Sequence, residues 1–117
     1  MIPKCRQNKI ISTGTASIDS TYISSTENNH FEKIGNVVAF SFTATTKKQF
    51  ETTSKIFSGL PGAKQNTRFI GVLTGVNGVD VPLRFEVTSK GEVLNAYSAS
   101  TIPANKIIEA HLVYICQ

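Results

Sequence analysis

From Val37 to Ala44 the chain alternates strictly: Val38, Phe40, Phe42 and Ala44 fall on one face and Val37, Ala39, Ser41 and Thr43 on the other. A period of two with the bulky members on one side is the signature of a strand packed against a core. The same period returns in Val81–Thr88, where Leu83, Phe85 and Val87 alternate with Arg84 and Glu86. It returns again in Lys106–Cys116, with Ile108, Ala110, Leu112 and Tyr114 on one face. No helical stripe competes with these. Lys47–Phe57 comes nearest, but a Thr-Thr-Ser centre and the lack of apolar residues at i, i+3 and i+4 argue against it.

Turn signals separate the alternating runs. Gly35 in Ile34-Gly35-Asn36 suits a tight hairpin with positive φ, Pro61-Gly62 ends a short run at Lys55–Leu60, and Ser89-Lys90-Gly91 joins Val81–Thr88 to Glu92–Ser98. Thr67–Thr74 supplies a further strand, followed by a loop over GVNGVD. In the first thirty residues the pattern weakens. Ile10–Ile18 reads as an edge strand, Tyr22–Ser24 as a second short one, and the run STENN up to His30 as a loop. The expectation is therefore an all-β fold: an antiparallel, jelly-roll-like β-sandwich of seven to eight strands. Residues 1–30 form an N-terminal extension with edge strands, and residues 31–117 form the sandwich.

At 117 residues the chain has room for one such core. Only 17% of it is charged, and Thr, Ser and Asn fill the gap, a composition that favours pleated surfaces over helices. Of the net charge of +4, Lys4, Arg6 and Lys9 contribute three, all before the first acid at Asp19. The rest is nearly neutral, its basic residues scattered rather than striped, which argues against a nucleic-acid partner. No run approaches the ~18 apolar residues of a membrane-spanning helix. MIPKCRQNKIIS has no apolar segment of a secretory signal, so a route out of the cell would be lysis or a particle. Cys5 and Cys116 match no metal or redox spacing; they read as two free thiols or as a staple joining terminal strands.

Catalytic frames are missing as well. Glu109 and His111 share a strand face but have no third ligand or nucleophile near them in sequence, and no GxSxG elbow is present. The glycines of GVLTGVNG do not form a phosphate-cradling loop. The domain is read as binding or building rather than reacting, with no metal and no cofactor.

The succession FEKIGNVVAFSFTATT, KIFSGLP, TRFIGVLTG, VPLRFEVTSKGEV and IPANKIIEAHLVYI resembles the C-terminal head modules of bacteriophage tail-fibre and baseplate proteins. It covers about residues 31–117 and consists of turns and strand patterns rather than reactive residues. Glu92-Val93 departs from the GxL step of such sequences. The resemblance implies a receptor-binding β-sandwich at the tip of a virion tail, assembled in the host cytoplasm. Its implied partners are two further copies in a homotrimer, other tail or baseplate proteins, and a bacterial surface saccharide. A trimerising or docking module without a ligand, and a glycan hydrolase or lyase using Glu109 or His111, are the competing readings.

The resemblance carries over no binding residue. From the residues alone, sugar contact would fall to Tyr97, Asn95, Arg68, Asn77 and Asp80, each of which reads more readily as a strand or turn former. The second face of the closing strand holds Ile107, Glu109, His111, Val113 and Ile115. Three aliphatics are more than a solvent face needs, so this face is either a subunit interface or covered by a loop.

Overall fold

The computed structural model describes residues 11–76, 79–96 and 102–117. Among them run nine strands: β1 (Ile11–Gly14), β2 (Ser17–Ile18), β3 (Ile23–Ile34), β4 (Val37–Thr46), β5 (Lys55–Ser58), β6 (Thr67–Val76), β7 (Val79–Val87), β8 (Val93–Asn95) and β9 (Ile107–Ile115). All belong to one antiparallel sheet in the order β1-β3-β4-β9-β6-β7-β8-β5-β2.

This sheet is curled. Flat, its outermost strands would stand about 38 Å apart at ~4.8 Å per strand. Yet β1 and β2 are joined through Thr15 and Ala16 alone, so Gly14 and Ser17 lie within about 11 Å of each other. The curl also brings β5 over β4. The Phe57 ring sits 4.7 Å from that of Phe42 and 5.7 Å from that of Phe40, centroid to centroid, although the two strands are far apart in the sheet order. Phe85 joins them at 5.8 Å from Phe42, and Phe69 extends the cluster from β6. These four central rings, Phe40, Phe42, Phe57 and Phe85, are at most 1% exposed, each stabilising the fold by about 1.5–3 kcal/mol relative to exposure.

Where the two sheet edges meet, a side chain substitutes for a strand. Asn29 projects inward from β3. Its Nδ2 donates to the Ala16 carbonyl at 2.7 Å, and its Oδ1 accepts from the Ala16 amide at 2.8 Å. One amide thus satisfies both main-chain groups of Ala16, which is 5% exposed. A second close approach depends on glycine. A Cβ on Gly71 would lie 2.6 Å from the Phe85 ring and 2.8 Å from the Glu109 carbonyl oxygen, so the ring occupies the space a side chain would take.

Several expectations need correction. Instead of a jelly-roll-like sandwich of seven to eight strands, nine strands form a single curled half-barrel, because the β6–β7 ladder runs unbroken from Thr67↔Val87 to Leu73↔Val81 and joins the two layers. The STENN run is not a loop. It lies within the twelve-residue β3, whose register shifts between Ile23 and Ser25 and between Thr26 and Asn28 let polar residues follow β4 without a regular apolar period. Ile10–Ile18 is not one edge strand, since the chain turns at Thr15-Ala16 from one edge of the sheet to the other. The expected β4, the hairpin at Gly35 (φ 61°) and the alternation in β7 and β9 are all present.

Candidate functional site

With the bulky residues of β4 and β9 turned inward, their other faces and those of β3 and β6 form one outer surface. The ladders place side chains on it in rows. Asn28, Thr43, Glu109, Val72 and Pro82 make one row across five strands. His30, Ser41 and His111 make the next, Glu32, Ala39 and Val113 the one after, and Ile34, Val37 and Ile115 the last.

The first two rows frame a hollow of about 330 Å³, with Ile70 and Val72 as its apolar wall and Asn28, Ser41, Thr43, Glu109 and His111 as its polar lining. Asn28 Nδ2 donates to Ser41 Oγ at 3.0 Å, which fixes both groups on the floor. Ser41 and His111 are shared with a second hollow of about 190 Å³, whose other side carries His30 and Glu32 in contact at 3.4 Å. The two hollows therefore form one trough along the sheet. Among the described residues no Lys or Arg lines either part; the formal charges are the carboxylates of Glu32 and Glu109. Chemically, the trough offers hydroxyl, amide, imidazole and carboxylate groups beside an aliphatic wall, a set suited to a ligand with hydroxyls on one side and C–H groups on the other.

A different kind of surface lies beside it. The Ile34–Val37–Ile115 row is 40%, 38% and 45% exposed, and Val113 in the neighbouring row is 66% exposed. Here β6 leaves β9: their ladder ends at Gly71↔Ala110, and the cleft between them, about 440 Å³, is bordered by Lys64, Gln65, Thr67, Val113 and Ile115.

The sequence-derived candidates fare unequally. Tyr97 and Asn77 lie outside the described residues. Asn95 closes β8, is 5% exposed, and donates from Nδ2 to the Glu51 carbonyl at 2.7 Å, so its amide serves the fold. Arg68 is exposed and reaches Glu86 at 3.6 Å. Asp80 accepts from the Gly75 amide at 3.2 Å within the β6–β7 hairpin. None of these three lines the trough. Ile107, Glu109, His111, Val113 and Ile115 share the exposed face of β9, and among the described residues no loop covers them. Sequence reasoning missed Asn28, Ser41, Thr43, Ile70 and Val72, because only the register of four strands makes them neighbours.

Beneath this face Tyr114 donates its hydroxyl to the Pro61 carbonyl at 2.8 Å. Burial, and to a lesser degree the neighbouring Cys116, raise its phenol well above the ordinary value. Cys116 is a buried free thiol, and Cys5 lies outside the described residues. No group of three or more His, Cys, Asp or Glu placed to hold a metal ion is found among the described residues.

No protein-family model matches the chain, and no curated protein sequence is significantly similar to it. A solved structure is similar in fold: the head domain of the lactococcal phage bIL170, described among receptor-binding domains of such phages. It superposes with a TM-score of 0.68 at 11% identity, over 92% of this chain and the whole of that domain. The chain thus has the fold of a phage receptor-binding head domain, as the turn and strand pattern of its sequence led us to expect.

Proposed function

We propose that this domain is the receptor-binding head of a bacteriophage tail, carried on the virion and attaching it to a host cell by binding, without catalysis. The observation that carries this reading is the match to such a head over that domain's whole length, at a sequence identity where fold alone persists. The finer parts of the proposal rest on the outer face. The trough of Asn28, Ser41, Thr43, Glu109 and His111 is the site for a bacterial surface saccharide. The exposed aliphatics Val113 and Ile115, with Ile34 and Val37 beside them, are the contact between copies in a homotrimer. Other tail or baseplate proteins would hold the trimer on the particle.

The purified chain, fluorescently labelled, is incubated with a panel of Gram-positive strains that includes lactococci, and its mass is followed by light scattering. Saturable binding to some strains, competed by their extracted surface polysaccharide, is the expected result. A trimer that binds no strain would favour the second reading, a trimerising or docking module without a ligand, which the apolar row at Ile34, Val37 and Ile115 also suits. Strain binding unaffected by polysaccharide would refute the saccharide part.

A further inference from the structure

On the reading that the trough holds a saccharide, we infer that it selects by charge: it takes neutral and amine-bearing saccharides and rejects phosphate- or carboxylate-bearing ones, with Glu109 setting the sign. Three observations lead there. The lining of both hollows holds two carboxylates and, among the described residues, no Lys or Arg. Glu109 stands in the central row, between Thr43 and Val72, so a ligand lying across the strands passes over it. The imidazoles of His30 and His111 are in the lining, and the arginines of the neighbouring strands are placed elsewhere. Arg68 is engaged with Glu86, and Arg84, opposite Ile70 in the β6–β7 ladder, does not line either hollow.

A carboxylate accepts two hydroxyl hydrogen bonds from a neutral sugar and a stronger, charge-assisted one from an ammonium, whereas it repels a phosphate at the same place. The local preference also opposes that of the whole chain. With a net charge of +4, long-range attraction would favour anionic glycans. At ~0.15 M salt the screening length is about 8 Å, which leaves the local contact dominant. Among the described residues the polar lining comes without a Phe or Tyr side chain on the outer face of the hollow, since Phe42 turns inward. Each site is therefore expected to bind weakly, and attachment would depend on several sites acting together.

The test measures binding of the intact chain to three probes by calorimetry at physiological salt: a fully deacetylated chitosan tetramer, its N-acetylated counterpart and glucose 6-phosphate. The amine-bearing tetramer is expected to bind about tenfold more tightly than the acetylated one, and the phosphate not measurably. Glu109→Gln, an exposed substitution that removes the charge and turns one acceptor oxygen into a donor, is expected to cut the amine preference severalfold, weakening the amine-bearing tetramer more than the acetylated one. Equal or tighter binding of the phosphate, a preference unchanged in Glu109→Gln, or no binding of either tetramer would each overturn the inference. Labelled wild-type chain is applied to the strain panel in parallel. Strain binding without the charge preference sinks this inference alone. A charge preference in a chain that binds no strain sinks the attachment reading instead.

Discussion

Replacing Asn29 with alanine should open the seam of the curled sheet. Its amide is the partner of both main-chain groups of Ala16, at 2.7 and 2.8 Å, and Ala16 is 5% exposed. Removing one partner leaves a buried donor or acceptor unsatisfied at about 1–3 kcal/mol. Asn29 itself is part-buried, so water would reach the vacated space and hold each loss near the lower end. For two groups the expected cost is about 2–4 kcal/mol, a fall of about 8–16 °C in Tm for a domain of this size. Asn29→Asp should cost no less. It retains an acceptor for the Ala16 amide but offers no donor to the carbonyl and sets a second anionic oxygen against it. Urea unfolding of wild type and both variants gives the free energies. Amide hydrogen exchange at Ala16 gives a local readout, expected to accelerate more than at Phe42 in the core. A loss below about 0.5 kcal/mol, within the range of an ordinary surface change, would refute the clasp and leave ring packing alone to hold the curl.

Gly71→Ala should destabilise by about 1–3 kcal/mol in thermal melts, because its Cβ would meet the Phe85 ring at 2.6 Å and a backbone oxygen at 2.8 Å. Phe57→Ala removes the ring that bridges the two layers and should cost about 3–5 kcal/mol in urea unfolding. Tyr114→Phe should lose about 1 kcal/mol at neutral pH with its hydrogen bond to Pro61. It should also flatten the alkaline limb of the stability curve. The phenol's folded value lies above its unfolded one, so its contribution is complete below about pH 10 and declines above it as the unfolded chain ionises, by about 1.4 kcal/mol per pH unit. An equally steep limb in the phenylalanine variant would contradict this. Val113→Asp, at a residue 66% exposed, should leave the chain folded but dissociate the proposed trimer in light scattering, whereas an unchanged trimeric mass would place the subunit contact elsewhere.

The sequence by itself determined the class of fold and the direction in which most strands face. In β4, β7 and β9 the alternation of Phe40, Phe42, Leu83, Phe85, Ile108 and Leu112 with smaller or polar residues is local. A period of two identifies the buried side without knowledge of any neighbour. The hairpins at Gly35 and at 88–92 were legible for a similar reason, since turn chemistry is carried by a few adjacent residues. Only the tertiary structure decided the rest. β3 carries polar residues through two register shifts, so no apolar period marked it, and its Asn28, Asn29 and His30 read as a loop. Asn29 gained a structural role only when the curl brought Ala16 to it. Asn95, expected as an exposed amide, is buried at the end of β8 with its Nδ2 donated to the Glu51 carbonyl. The trough residues Asn28, Thr43, Glu109 and Val72 come from four strands separated by up to about eighty positions, and they form a row only because β3, β4, β9 and β6 pair in one register. Strand pairing over such distances depends on the total burial of the core rather than on any short stretch of chain. The inward side of each strand could therefore be read residue by residue, while the site on the outward side could not.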